Sequence, residues 1–173
     1  MLVGITGKAG SGKDTFARML GFETYAFAKP LKDALAAMGF PEPSREMKEA
    51  LVPGFEFTWR KAAQTLGTEW GRALQSDIWL AMAKRYYTQH LLVGKHFLVL
   101  TDVRFHNEAD WVRENGILCH MSGRSTTATG EHQSHASEAT LPIDRRDLVI
   151  DNSGSLSNLM LEKRRVDAAL VTR

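Results

Sequence analysis

The sequence lacks most of the features that mark secreted, membrane-spanning or nucleic-acid-binding proteins. Its single cysteine, Cys119, cannot form an intramolecular disulfide, which fits a reducing cytoplasm. No signal peptide precedes Leu2, and no apolar run approaches the roughly 20 residues that span a membrane. The net charge is only +2, which argues against a nucleic-acid partner. We therefore expect a cytoplasmic protein with neither a nucleic-acid nor a membrane partner.

The remaining composition is that of an ordinary globular protein, with 43% hydrophobic and 24% charged residues in a chain of 173. Short apolar runs alternate with helical patterns, which predicts right-handed βαβ crossovers. The fold class is therefore α/β, with a five-stranded parallel sheet covered by helices on both faces. The predicted strands are residues 2–5, 23–28, 97–102, 117–121 and 148–151.

We expect one domain over residues 1–173, with two additions to the sheet. A helical insertion is predicted over about residues 40–90, where three prolines precede two helical patterns. A lid is predicted over about residues 122–140, because this stretch has few large apolar side chains.

The most informative stretch is Gly7-Lys-Ala-Gly-Ser-Gly-Lys13, which follows the first strand and opens a helix. It has the pattern G-x-x-x-x-G-K of a phosphate-binding loop. Glycines let backbone N–H groups turn inward on a polyphosphate, and the helix amino terminus adds positive potential. Lys13 supplies a cation for the β- and γ-phosphates. The residues predicted to bind ATP here are Gly7, Ala9, Gly10, Ser11, Gly12, Lys13, Asp14 and Thr15.

Asp14 stands where most such loops carry the serine or threonine that binds Mg²⁺, and the hydroxyl follows at Thr15. Adenylate-kinase-like proteins share this G-K-x-T ending, so the loop resembles that of a small-molecule kinase. Asp102 ends an apolar strand beside the loop and can hold Mg²⁺ through water or steer an acceptor phosphate. The predicted metal ligands are thus Thr15, Asp14 and Asp102; a helix-capping role is the alternative for Asp102.

The acceptor site is predicted between the second and third strands. Arg60, Gln64 and Arg72 are spaced to share one helical face if Gly67 does not break the helix. An arginine there can grip a monophosphate while Gln64 hydrogen-bonds a base. Trp70 can stack on a base, although aromatic residues at helical spacing more often belong to a core.

Three further cations are candidates for binding the phosphates. Lys29 and Lys32 either serve that purpose or are simply solvated. Arg104 is a planar fork suited to phosphate, with a surface ion pair to Glu108 as its alternative.

Several segments together resemble the phage-type deoxynucleoside monophosphate kinases, a P-loop kinase family. They are Gly4–Thr15, Leu66–Arg72 (L-G-T-E-W-G-R), Asp102–Glu108 (D-V-R-F-H-N-E), His135–Glu138 (H-A-S-E) and Ile150–Ser155 (I-D-N-S-G-S). The resemblance implies Mg²⁺-assisted in-line phosphoryl transfer from ATP to a deoxynucleoside 5′-monophosphate, in a host cytoplasm if the chain is phage-encoded. One departure is His106, where we expect proline.

The resemblance also implies roles for individual residues. Arg124 corresponds to a catalytic lid arginine that would act with Lys13, Asp102 and Arg104; Arg145 and Arg146 are alternatives for it. Glu108, His135 and Glu138 would contact the substrate, the last two alternatively ordering the lid. Asn152 and Gly154 are predicted to bind ATP, because their segment also resembles one that borders the adenine in dephospho-coenzyme A kinases. His132 and His135 lack further ligands for zinc.

Other functions remain as alternatives. The segment Ile150–Ser155 also resembles dephospho-coenzyme A kinases, so a related kinase with another acceptor is the main one. A GTPase-like switch usually carries N-K-x-D, and the nearest segment, Asn107–Asp110, lacks the lysine. The predicted partners are therefore small molecules, ATP and a deoxynucleoside monophosphate. The accepted bases, the choice of sugar and a homodimeric state stay open.

Overall fold

The described strands follow one another in the predicted order, with helices between most of them. A computed structural model describes residues 1–123 and 141–172. The strands are β1 (Leu2–Thr6), β2 (Glu23–Tyr25), β3 (Leu98–Leu100), β4 (Gly116–Ser122) and β5 (Leu148–Asp151). The α-helices are α1 (Lys13–Leu20), α2 (Lys29–Ala37), α3 (Trp59–Gln64), α4 (Gly71–Leu74), α5 (Ile78–Leu92), α6 (His106–Asn115) and α7 (Leu156–Val171). A 3₁₀ turn spans Arg45–Glu49, and a π-helical turn spans Thr65–Trp70.

The five strands form one parallel sheet in the order β2-β3-β1-β4-β5. This confirms the predicted five-stranded parallel sheet. Two predicted strands are too long, because β2 ends at Tyr25 and β3 at Leu100. The edge strand β2 pairs only with β3, so the three residues of β3 limit its length. Asp102 therefore lies two residues beyond its strand.

Helices cover both faces of the sheet. On one face, Val3 and Ile5 of β1 belong to a buried cluster with Phe16 of α1 and Leu159 of α7. On the other face, a Cβ on Gly4 would lie 2.8 Å from Cγ1 of Val112 in α6. Both faces of β1 are thus covered, which is why this strand reads as a continuous apolar run.

The chain divides into two compact units. The first unit comprises residues 1–26 and 86–173, with the sheet and helices α1, α6 and α7. The second unit comprises residues 27–85 and is mostly helical. It begins earlier than the predicted insertion, because α2 belongs to it. The described helices include none long and apolar enough to cross a membrane.

In the second unit, α3 continues through the π-helical turn into α4 without a break. Thr58 caps this helix, since its hydroxyl accepts from the N–H of Lys61 at 3.1 Å. The wider turn leaves the carbonyl of Gly67 to accept from the indole of Trp79 at 2.7 Å. A Cβ on Gly71 would lie 2.5 Å from Cζ2 of the same tryptophan. Close packing on Trp79 therefore accompanies the π turn.

Candidate functional site

The loop between β1 and α1 has a backbone that only glycine adopts readily. Gly7 and Gly12 have φ angles of 143° and 92°. A Cβ on Gly7 would lie 2.9 Å from the carbonyl oxygen of Met121, and one on Gly12 would lie 2.3 Å from Nδ2 of Asn152. Backbone conformation and close neighbours therefore both require glycine here.

Lys13 begins α1 and places its ammonium group on the loop. Its Nζ donates to the carbonyl of Gly7 at 2.7 Å and to that of Lys8 at 2.8 Å. These contacts hold a positive charge against the loop backbone. The amino terminus of α1 adds N–H groups that have no acceptor within the helix.

The donor set of this loop fits a polyphosphate. The hydroxyl of Ser11 is buried and has no hydrogen-bond partner among the described residues. It lies within a cradle that a Cβ on Gly7 would enter, at 3.0 Å from the Ser11 oxygen. An unsatisfied donor, the ammonium of Lys13 and a helix amino terminus are the groups that recognise phosphate oxygens.

Asp102 lies beside the start of this loop. The N–H of Val103 donates to the carbonyl of Ile5 at 3.2 Å, so pairing with β1 continues beyond the end of β3. Asp102 and Arg104 are both partly buried at this edge. Asp102 and the phosphate loop, which are far apart in sequence, thus follow the carboxyl ends of two neighbouring strands.

Glu108 holds the segment that carries Asp102 and Arg104. Its carboxylate accepts from the backbone N–H groups of Arg104 at 2.9 Å and Phe105 at 3.1 Å, and it is only 1% exposed. The structure therefore shows Glu108 as a helix cap that positions this segment, and its contact with substrate stays a prediction. His106 is the first residue of α6, a position that suits proline equally, so this departure needs no shift in the chain.

Asn152 follows β5 and contacts the loop directly. Its side-chain Nδ2 donates to the carbonyl of Ser11 at 2.9 Å, and the residue is 8% exposed. The contact links two positions that the sequence analysis treated separately. Gly154 lies two residues further on, just before Ser155, which caps α7 through the N–H of Asn158.

Two predicted acceptor cations, Lys29 and Lys32, lie on α2 in the second unit. Nζ of Lys29 is 2.6 Å from Asp33, and Nζ of Lys32 is 3.0 Å from Glu42. Such partly exposed ion pairs contribute little to stability. A phosphate can therefore replace the carboxylate at low cost.

The π turn favours a common face for Arg60, Gln64 and Arg72. Positions eight apart are rotated by about 80° in a regular α-helix. The extra residue in a π turn reduces this rotation to about 20°. Arg60 pairs with Glu49, while Nη1 of Arg72 donates to the carbonyl of Ser76 at 2.8 Å. Nε2 of Gln64 is buried with no hydrogen-bond partner among the described residues.

An apolar hollow of about 470 Å³ in the second unit was not predicted from the sequence. Trp70 lies on its wall and is 53% exposed, so it is not a core residue. The other lining residues are Leu35, Met38, Phe40, Phe57, Lys61, Ala62, Thr65 and Leu66. The lining residues come from two separate stretches of chain, 35–40 and 57–70, which is why no local pattern indicated the hollow.

The first unit also contains a buried ionic cluster that sequence reasoning missed. The carboxylate of Asp147 accepts from Arg113 and from His120, on α6 and β4 respectively. Nearby, Arg146 pairs with Asp144. Arg145 and Arg146 precede β5, so they lie at its amino end, whereas the phosphate loop follows the carboxyl end of β1. This placement disfavours them as lid arginines.

Four predicted residues lie outside the described residues: Arg124, His132, His135 and Glu138. For the metal, Thr15 is partly buried and Asp14 exposed in the first turn of α1. The described residues contain no group of three or more His, Cys, Asp or Glu side chains that could hold a metal ion. Mg²⁺ in phosphoryl transfer usually needs only one or two carboxylates besides phosphate oxygens.

A family model described as deoxynucleotide monophosphate kinase matches residues 44–163, more than half of the chain. The chain belongs to the deoxynucleotide monophosphate kinase family. Membership in this family makes it a phosphotransferase of the nucleoside monophosphate kinase class.

Two viral relatives of this deoxynucleotide monophosphate kinase family are each 31% identical to the chain. One is a protein of Acanthamoeba polyphaga mimivirus provisionally named a deoxynucleotide monophosphate kinase, and the match covers 90% of each chain. The other is the deoxynucleotide monophosphate kinase of Escherichia phage RB69, where the match covers 68% of this chain and 48% of the phage protein.

A solved structure, TT1252 from Thermus thermophilus, shares the fold. It matches over 98% of this chain and 97% of its own with a TM-score of 0.60 and 21% identity. At that identity the likeness concerns the fold alone.

Proposed function

We propose that this protein transfers the terminal phosphoryl group of ATP to a deoxynucleoside 5′-monophosphate, yielding the diphosphate and ADP, with Mg²⁺ as the metal. The observation that carries the proposal is the loop of Gly7–Lys13, whose glycines, buried serine hydroxyl and ammonium group fit a polyphosphate. Family membership gives the class of acceptor.

On the donor side, the loop residues and Lys13 would hold the phosphates and neutralise the charge that develops between them. Phosphoryl transfer depends mainly on positioning and electrostatic stabilisation. Mg²⁺ would supply a compact charge between phosphate oxygens, held by Thr15, Asp102 and the neighbouring Asp14. Arg104 has a guanidinium fork for a transferring or accepting phosphate, on a segment that Glu108 holds in place.

On the acceptor side, the candidate residues are those of the second unit. Arg60 and Arg72 would bind the monophosphate. Nε2 of Gln64, a buried nitrogen with no hydrogen-bond partner within residues 1–123 and 141–172, would bind the base. Trp70 offers an exposed indole for stacking. The further contacts that the sequence suggests are Lys29, Lys32, His135, Glu138 and Arg124.

The partners in this proposal are small molecules, and the setting is a reducing cytoplasm. A second candidate acceptor is dephospho-coenzyme A, because the segment Ile150–Ser155 is shared with that kind of kinase. In the structure this segment includes Asn152, whose amide contacts the phosphate loop. Such a contact would support ATP binding with either acceptor, so it does not distinguish between them.

The test offers the purified protein Mg²⁺ and ATP with each deoxynucleoside monophosphate, each ribonucleoside counterpart and dephospho-coenzyme A, and measures ADP release. We expect release that depends on a deoxynucleoside monophosphate. ADP release only with dephospho-coenzyme A would show that this molecule, and not a deoxynucleoside monophosphate, is the acceptor. A slow release that no acceptor stimulates would instead indicate a nucleotide switch.

The loop is tested by Lys13→Ala, which removes the ammonium group held on it. We expect kcat to fall on the order of 10² to 10³-fold while the protein stays folded. Lys163→Ala is the matched control, because that lysine pairs with Asp167 on α7 at 2.6 Å and contacts no loop residue in the described interactions. Full activity of Lys13→Ala would remove the loop from the mechanism.

A further inference from the structure

Asn152 is held by its main chain and by its side chain at the same time. Its N–H donates to the carbonyl of Ser122 at 2.9 Å, which continues the β4–β5 ladder by one residue. Its Nδ2 donates to the carbonyl of Ser11 at 2.9 Å, across 141 residues of sequence. The side chain therefore connects the end of the sheet to the phosphate loop.

Two glycines allow this connection to be short. A Cβ on Gly12 would lie 2.3 Å from the amide nitrogen of Asn152, and one on Gly123 would lie 2.4 Å from the N–H nitrogen of Ser153. Asp151 adds a turn contact, accepting from the same N–H of Ser153 at 2.8 Å. The Asn152–Ser153 backbone is thus packed closely enough that the amide has little freedom to turn elsewhere.

The contact sets the orientation of one loop peptide. In a planar trans peptide the carbonyl and the following N–H point in opposite directions. When Asn152 fixes the carbonyl of Ser11, it also directs the N–H of Gly12 to the opposite side. A loop N–H held in advance binds an anion without the entropy cost of orienting the peptide.

We propose that Asn152 is a positioning residue for the donor nucleotide, which holds the Ser11–Gly12 peptide so that its N–H faces the phosphates. This rests on the proposed function, and it differs from the adenine contact that the resemblance to dephospho-coenzyme A kinases implies for this position. A positioning residue of this kind affects every ligand that carries the polyphosphate, with or without a base.

The experiment measures dissociation constants of Mg²⁺–ATP and of Mg²⁺–tripolyphosphate for the full-length protein and its Asn152→Ala and Asn152→Asp variants. We expect both ligands to bind roughly two- to tenfold more weakly to Asn152→Ala, because the released Ser11–Gly12 peptide must then be oriented each time a phosphate binds. Asn152→Asp should weaken both at least as much, because a carboxylate cannot donate to the Ser11 carbonyl and repels phosphate.

Asn115→Ala is a matched control. Asn115 also donates from Nδ2 to a backbone carbonyl, that of Trp111 at 2.9 Å. It directly precedes β4, however, so it lies at the amino ends of the strands, away from the phosphate loop at their carboxyl ends. It should leave both dissociation constants unchanged. Thermal unfolding of all variants separates binding from stability, and the isosteric Asn152→Asp keeps the test available if Asn152→Ala does not fold.

Three outcomes would overturn the proposal. A loss confined to ATP would show that Asn152 contacts the base. Unchanged affinities for both ligands in folded variants would reduce the contact to a structural one. If the unaltered protein bound neither ligand, the proposed function itself would fail, an outcome that the variants cannot produce.

Discussion

Replacing Asp147 with asparagine should destabilise the first unit strongly. The side chain of Asp147 is fully buried at 0% exposure and accepts four hydrogen bonds. Arg113 donates two of them, at 3.0 and 2.7 Å. His120 and the backbone N–H of Asp144 donate the others, each at 2.8 Å. Asparagine has the same shape but carries no charge and only one acceptor oxygen.

The magnitude follows from what the substitution leaves behind. The side chain of Arg113 is only 6% exposed, so without the Asp147 carboxylate its charge is buried and largely unpaired. Breaking a buried pair in this way costs about 3–5 kcal/mol. Asp110→Asn is the matched control, because Asp110 contacts the same guanidinium at 3.1 Å but is 63% exposed. That change should cost no more than about 1 kcal/mol.

The assay is urea unfolding of the protein and both variants at several pH values. Burial opposes ionisation of Asp147, but the hydrogen bonds from Arg113, Asp144 and His120 outweigh it and lower its pKa below 3.8. A lowered folded-state pKa stabilises the protein above the unfolded-state pKa, and this stabilisation is lost as the pH falls through the folded-state value. The gap between the protein and Asp147→Asn should therefore be full at neutral pH and shrink below about pH 3.8.

Asp144 responds to pH in the same direction, since the hydrogen bonds from Arg146 lower its pKa to about 2. It is present in all three proteins, so it cancels from the comparison. The reasoning would be refuted if Asp147→Asn cost no more than Asp110→Asn, or if the gap did not change between neutral pH and pH 3.

Two further predictions concern other sites. Burial, and to a lesser extent the charge of Asp147, raises the pKa of the Cys119 thiol to about 12. A thiol reagent at neutral pH should therefore label the protein only after unfolding, and labelling of the folded protein would contradict this. Gly71→Ala places a Cβ 2.5 Å from Trp79 and should lower the free energy of unfolding by about 1–3 kcal/mol. The assay is urea unfolding monitored by tryptophan fluorescence. An unchanged midpoint would show that the π turn shifts to accommodate the methyl group without cost.

The sheet and the phosphate loop were predictable because their signals are local. A strand buried on both faces reads as an apolar run wherever it occurs, as β1 does. The loop needs glycine at particular backbone angles, so its spacing is visible in seven consecutive letters. The carboxyl ends of parallel strands lie at the same end of the sheet, so the order of the strands alone predicts that Asp102 lies beside the loop.

The helical second unit was only partly predictable. The sequence indicated two helical patterns in the insertion at about residues 40–90, but neither the π turn at Thr65–Trp70 nor the apolar hollow. Both depend on how Trp79 and several separate stretches pack together. Packing of that kind has no sequence period to detect.

Partner choice among polar side chains was decided by the tertiary structure alone. The carboxylate of Glu108 caps a helix by accepting from the N–H groups of Arg104 and Phe105, a pairing that the motif alone did not indicate. Asn152 reaches Ser11, and Asp147 reaches Arg113, over 141 and 34 residues of chain. A hydrogen bond forms only between groups that lie within about 3 Å of each other after folding. Separation in sequence does not give that distance, so these partners could be found only from the tertiary structure.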